Sequence, residues 1–180
     1  MRAMIDDVPG RLTGRVADIP LLSGATAPVT VTRVAYQTWK GLGPKNTWRK
    51  PVVGPPSAPF AELALAAHLR ERGWASGWVY RPGRFLASWE PRSNAVFPAD
   101  GVALFQRISR AAGQSGAWDV FAWRNGTPLF LEVKWPRDRI RPSQSRWLSE
   151  ALDLGVSSDA FILVECEQLP NNAADEARLG

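Results

Sequence analysis

Three features of the 180-residue sequence predict an α/β fold with a mixed central β-sheet flanked by helices. Residues 118–135 read as two strands around Asn125-Gly126, the strongest short-range signal for a two-residue hairpin turn. The second of these strands leads into a helical pattern and then into the apolar run Ala160-Phe161-Ile162-Leu163-Val164, and strand, helix, strand implies a right-handed crossover with parallel pairing. Residues 57–72 supply a further amphipathic helix to cover the sheet.

Composition bounds what such a chain does. Apolar residues make up 45% and charged residues 22%, a balance that suits one folded domain rather than a disordered polyelectrolyte. No apolar run approaches the ~18 to 20 residues of a membrane span, and the start, Met1 to Asp7, turns acidic where a signal peptide turns hydrophobic. A cytoplasmic protein without a membrane partner is expected. Cys166 is the only cysteine and His68 the only histidine, which argues against a disulfide, a multi-Cys zinc site and Cys/His nucleophilic chemistry.

The formal charge of +5 is unevenly placed: residues 165–180 hold Glu165, Glu167, Asp175 and Glu176 against Arg178, a local −3, which leaves +8 on residues 1–164. Eighteen arginines against four lysines, with nine tryptophans, suit bidentate phosphate contacts and stacking on bases. The competing explanation is a GC-rich coding sequence with the tryptophans filling the core.

Along the chain, residues 1–56 hold much of the proline, and their best strand candidate is Val29 to Tyr36, alternating and β-branched. Trp39, Lys40, Lys45, Trp48, Arg49 and Lys50 follow in a Gly/Pro-punctuated stretch, either a phosphate-gripping arm or a solvated one. Ser57 and Pro59 then suit a helix start, and Gly73 a stop. On this helix Glu62 shares a stripe with Leu65, Ala66 and Leu69, so a carboxylate points toward the buried side. It either serves a site or exploits the helix dipole in a wet first turn. Gly77 to Tyr80 reads as a short strand, and Val102 to Arg110 fits a helix or a strand.

The hairpin carries the chemistry. With Asn125-Gly126 as the turn, Arg124 faces Thr127, and the same register places Asp119 opposite Glu132, their Cβ atoms roughly 5 Å apart. Glu132 and Lys134 emerge on one face, and Leu131 and Val133 on the other with Val120 and Trp118. Carboxylates directly opposite repel, and a divalent cation reverses the sign. Oxygen ligands without His or Cys suit Mg²⁺ or Mn²⁺ shared with a substrate phosphate, and a lysine beside it orients or deprotonates water. The alternative is a surface cluster neutralised by Lys134 and an arginine.

Immediately downstream, Lys134, Arg137, Arg139, Arg141 and Arg146 face Asp138 alone, a positive patch next to the acidic pair. A helix begins near Pro142 and ends near Gly155, with Gln144, Trp147, Leu148 and Ala151 on its inner stripe. Gln144 is thus a polar group aimed inward, for a site or for a cap.

Asp119, Glu132-Val133-Lys134, the loop Trp135-Pro136-Arg137-Asp138-Arg139-Ile140 and a helix with Gln144 and Trp147 together resemble the PD-(D/E)xK nuclease superfamily, most closely the VRR-NUC nucleases. The match covers residues 116–165 and reaches back more loosely to the helix at 59–72, where Glu62 matches a metal-linked glutamate. It departs at Trp118, where such families carry Pro in Gly-x-Pro-Asp, at Trp135, which replaces a small residue, and in residues 1–56, which have no counterpart and are open to an accessory strand pair, an arm or a dimer contact.

The resemblance implies a restriction-endonuclease-like core over residues 57–165, which leaves an N-terminal extension over 1–56 and, by its charge, an acidic, flexible tail over 166–180. It also implies a Mg²⁺- or Mn²⁺-dependent endo- or exodeoxyribonuclease acting on DNA, structured or branched DNA included, with a homodimer compatible. In that reading Asp119 and Glu132 hold the metal with the Val133 carbonyl, Glu62 binds it directly or through water, Lys134 positions or activates water, and Gln144 orients the site. Arg137, Arg139, Arg141 and Arg146 contact phosphates. Two other readings stay open: a nucleic-acid-binding module on a nuclease-like scaffold without turnover, and an α/β protein whose acidic pair is structural.

Overall fold

The computed structural model describes residues 6–8, 11–37, 60–81, 83–87 and 94–169. Their strands form one mixed seven-stranded sheet: β1 (Arg11–Pro20), β2 (Thr26–Gln37), β3 (Ala75–Arg81), β4 (Arg84–Leu86), β5 (Val120–Arg124), β6 (Thr127–Lys134) and β7 (Phe161–Leu169), in the spatial order β1-β2-β7-β6-β5-β3-β4. Among the described residues three α-helices accompany it, α1 (Phe60–Glu71), α2 (Ala99–Ala111) and α3 (Pro142–Asp153). None of the described helices is long and apolar enough to cross a membrane.

The β5–β6 hairpin forms in the expected register, from Arg124↔Thr127 to Val120↔Leu131. Asn125 and Gly126 both take positive φ, 51° and 79°, as a type I′ turn requires. From β6 the chain crosses through α3 and returns as β7, parallel to β6. Phe121, Phe130 and Phe161, one from each of three adjacent strands, are paired in register and stack with ring centroids 5.1 and 4.9 Å apart. Trp147 of α3 meets Phe130 edge-on at 4.9 Å, and Phe105 of α2 lies 5.5 Å from Trp147, so α2 and α3 cover this face of the sheet. On the opposite face Leu65, Ala66 and Leu69 of α1 pack with Val120, Leu129, Leu131 and Val133.

The described tryptophans serve the core more than the surface: Trp74, Trp118, Trp123 and Trp147 are buried, and Trp78 and Trp135 are half-buried. Trp39, Trp48 and the basic residues between them lie outside the described residues, as do Ser57 and Pro59.

Two expectations need correction and two open ones are resolved. Residues 1–56 supply a strand pair: β1 is antiparallel to β2, and β2 joins the same sheet by parallel pairing with β7. A boundary at 165/166 cuts through β7, which continues to Leu169. The ambiguous segment is helix α2, whose Gly101 lets the backbone approach the Trp123 ring so closely that a Cβ would stand 2.9 Å from it. Trp118 leaves the Leu131/Val133 face and packs edge-on against Phe161 at 4.9 Å, because the β5 ladder ends at Val120.

Gly116 fixes where α3 begins. Its φ is +78°, and a Cβ there would fall 2.0 Å from the Ser143 carbonyl oxygen and 2.8 Å from the Gln144 amide nitrogen. Gly126 has a similar φ with nothing within 4 Å of a Cβ, so the pair separates strain from clash. Gly126→Ala is expected to cost about 1 kcal/mol, and Gly116→Ala about 3 kcal/mol or more. Urea unfolding midpoints of the two variants check this; equal losses would show that α3 does not rest on Gly116.

Candidate active site

Glu132 lies on the α3-facing side of β6 and is 2% exposed. Its Oε1 accepts hydrogen bonds from Lys134 Nζ at 2.8 Å and from Gln144 Nε2. The amide oxygen of Gln144 accepts from Lys134 Nζ at 3.2 Å and from the Arg141 backbone N–H at 2.9 Å, which locks the side chain at the start of α3. Gln144 is therefore both a cap and a site residue. The second oxygen, Glu132 Oε2, is buried with no hydrogen-bond partner among the described residues.

Asp119 stands where the hairpin ladder gives way. Its carbonyl accepts from the Val79 N–H at 2.8 Å, and its Oδ2 accepts from the Val133 N–H at 2.9 Å. A side chain thus takes the place that main chain would occupy in a continued ladder, which turns the carboxylate toward the end of β6 and frees Trp118 for the core. Asp119 lies near enough for its charge to act on the Glu132 carboxyl. Burial first, and then the charge of Asp119, push the Glu132 carboxyl up to about 8 despite Lys134 and Gln144. Asp119 is raised as well, burial outweighing the Val133 amide and the Lys134 charge.

Glu62 enters from the α1 side of the sheet. It is buried, its Oε2 has no hydrogen-bond partner among the described residues, and its carboxyl is pushed up to about 7 by burial, with a further contribution from Asp119. The inward stripe with Leu65, Ala66 and Leu69 is as expected, and the first-turn position leaves Glu62 dry rather than wet. The same negative surroundings reach Cys166, raised to about 12 by burial and then by Glu62 and Asp119.

These groups line a cleft of about 490 Å³ that brings together Glu62, Asp119, Glu132, Val133 and Lys134 with Arg137, Arg139 and Arg141. Arg146 is exposed on α3 outside that lining. A cleft of about 580 Å³ between β4 and the start of α2 has Arg84 as its one charged described lining residue and offers no acid.

The strand-to-helix loop is pinned by groups the sequence reading did not single out for this purpose. Asp138 N–H donates to the Trp135 carbonyl at 2.9 Å, and Trp135 N–H donates to Asp138 Oδ2 at 3.1 Å. Pro136 and Arg137 occupy the centre of this turn, with Arg137 at φ +80°, the position where a type II turn favours glycine. A side chain kept at a strained position beside a cleft points to a use for its charge. Pro136 before Arg137, and Gly116 three residues before Asp119, were the available sequence signals.

Two buried acids with unpartnered oxygens, next to one lysine, form an oxygen-donor set suited to a hard divalent cation. Among the described residues, however, no three His, Cys, Asp or Glu side chains stand close enough to form a metal-holding group by themselves. Such a cation would depend on main-chain and substrate oxygens for the remainder of its shell. Compared with known proteins, the chain matches no family model and no curated protein.

The raised carboxyls make stability depend on pH in a defined direction. Glu132, whose carboxyl moves from an ordinary 4.5 to about 8 in the fold, binds more protons folded than unfolded within that window. Stability is therefore highest below the unfolded value and falls as pH rises toward the folded one. Without divalent metal, the melting temperature is expected to drop between pH 5 and pH 8.5, and Glu132→Gln is expected to flatten the profile. Parallel wild-type and Glu132→Gln profiles would show that Glu132 is not the group responsible.

Proposed function

We propose that the protein is a metal-dependent nuclease of the PD-(D/E)xK type, with a restriction-endonuclease-like core, that hydrolyses phosphodiester bonds in DNA. The observation that carries this reading is Glu132 itself: one oxygen is held by Lys134 and Gln144, the other is buried with no hydrogen-bond partner among the described residues, and the Asp119 charge acts on the same carboxylate. A fold shaped for stability alone gains nothing from a second buried acid at that place. The hairpin, the crossover through α3 to a parallel β7, and the approach of α1 from the other face support the core assignment.

Asp119 and the unpartnered oxygen of Glu132, together with the Val133 carbonyl, would hold Mg²⁺ or Mn²⁺, and Glu62 would contribute directly or through a water. Such an ion supplies charge neutralisation at the phosphodiester and a lowered pKa for bound water. Lys134, anchored between Glu132 and Gln144, places an ammonium where it orients an attacking water and offsets charge developing on the phosphate. Gln144 holds that lysine and the inner oxygen of Glu132 in fixed relation, so its part is positional. Arg137, Arg139 and Arg141 line the same cleft and receive phosphates, while Arg146 extends the positive surface along α3. A DNA substrate agrees with a cytoplasmic protein, and two such clefts in a homodimer would address two strands.

A non-catalytic DNA-binding module is the second reading, favoured by the lack of a three-residue metal group among the described residues. Its binding would fall steeply with salt and persist when the acids are neutralised and metal is chelated. Cleavage of supercoiled, linear, single-stranded and branched DNA with Mg²⁺ or Mn²⁺ separates the two. Lys134→Ala and Asp119→Ala are each expected to lower the rate by about 100-fold or more. Equal activity in wild type and both variants would refute the assignment of this site.

A further inference from the structure

The β3–β4 hairpin carries an aromatic and cationic cluster at the same end of the sheet as the acidic pair. The position follows from hydrogen bonding: the Val79 N–H donates to the Asp119 carbonyl at 2.8 Å, so Tyr80 is the next residue beyond the level of Asp119. α1 precedes β3 and runs back along it, which brings the Glu62 end of the helix to this same end of β3. Pairing shifts between Val79↔Phe85 and Arg81↔Arg84, leaving Tyr80 as the extra residue of a bulge. Bulges re-aim side chains and recur beside active sites.

Tyr80 is 43% exposed, one of the few large hydrophobic side chains left in solvent. The Arg81 and Arg84 guanidinium carbons lie 5.3 and 5.5 Å from its ring centroid, and Trp78 supports the ring edge-on at 5.3 Å. No acid occurs in the sequence between Glu71 and Glu90. In the order β6-β5-β3, Lys134 and the arginine loop leave from one flank of Asp119, and Tyr80 lies on the other. The separation is two strand spacings, on the order of 10 Å, a few nucleotide steps along a strand.

We infer that the β3–β4 hairpin is a second substrate contact, in which Tyr80 stacks on an unpaired base close to the cleaved bond while Arg81 and Arg84 hold neighbouring phosphates. The inference rests on the nuclease reading for its placement and names the feature selected: a single-stranded stretch, as at a frayed end, flap or branch. An exposed ring on a sheet edge finds a free base face only where bases are splayed from the duplex, and every base offers one. The guanidinium groups of Arg81 and Arg84, within cation–π distance of Tyr80, flank that platform and bring the kind of charge a phosphate backbone requires.

The test is fluorescence anisotropy in EDTA, where binding is read without cleavage, using a labelled 20-nucleotide oligo-dT and a duplex of mixed sequence. Tyr80→Ala is expected to weaken single-strand binding by about 5- to 100-fold and duplex binding far less. Tyr80→Phe retains wild-type affinity, and Tyr80→Leu, which keeps bulk but no π-face, behaves like Tyr80→Ala. Arg81→Ala is expected to weaken both and to reduce the salt slope by about one unit. Unchanged single-strand affinity in Tyr80→Leu, or equal loss on duplex, overturns the inference. Lys134-dependent cleavage without any Tyr80 dependence sinks this inference alone, whereas Tyr80-dependent single-strand binding by a protein that never cleaves sinks only the nuclease reading.

Discussion

Taking a carboxylate out of water costs several kcal/mol unless hydrogen bonds and an opposite charge replace the lost solvent, and Glu132 meets that cost only in part. The surrounding elements can be read as the supply of those replacements. β6 places Lys134 two residues on, on the same face; α3 delivers Gln144 in its first turn; Gly116 allows α3 to start close enough for that amide to arrive. Each of these groups satisfies Glu132 Oε1. None satisfies Oε2, and the nearest acid, Asp119, makes matters worse rather than better.

The rigidity needed to hold such an uncomfortable group comes from the aromatic stack across β5, β6 and β7. Phe121, Phe130 and Phe161 pin three strands in register, and Trp118 and Trp147 close on them edge-to-face. A one-residue slip of β6 would send Glu132 to the α1 face and Leu131 into the α3 face, so the stack that fixes the core also fixes the site. At the other side of the cleft the backbone is held taut: Arg137 keeps its left-handed conformation because Asp138 clamps the turn from both directions.

The hairpin register, α1, α3 and the inward set Glu62, Gln144, Trp147 and Leu148 were legible because each rests on local chemistry: an Asn-Gly turn, a Pro start, an i, i+3, i+4 stripe. What escaped depends on contacts distant in sequence. β1 is an exposed edge strand whose apolar pattern is diluted, with Val16 58% exposed, and nothing nearby announces its pairing with β2. α2 could not be told from a strand because Gly101, a poor helix former, is there to admit the Trp123 ring. The face of Trp118 was misjudged because alternation assumes a continuous ladder, and Asp119 ends it by spending its side chain on the Val133 amide.

The parallel pairing of β2 with β7 has a consequence for how the chain is made. Thr30 meets Ile162 and Val34 meets Cys166, so the centre of the sheet joins residues more than a hundred positions apart, and chain closure over such distances is slow. During synthesis the β1–β2 hairpin emerges first and must wait, with one edge open, while the hairpin bearing Asp119, Glu132 and Lys134 assembles locally. Only when residues 161–169 leave the ribosome can β7 slot between β6 and β2 and join the two halves. Asp119, Glu132 and Lys134 would thus be in place before the sheet is whole, and a chain truncated before β7 would present two unpaired edges, β2 and β6, each a template for association with other unfinished chains.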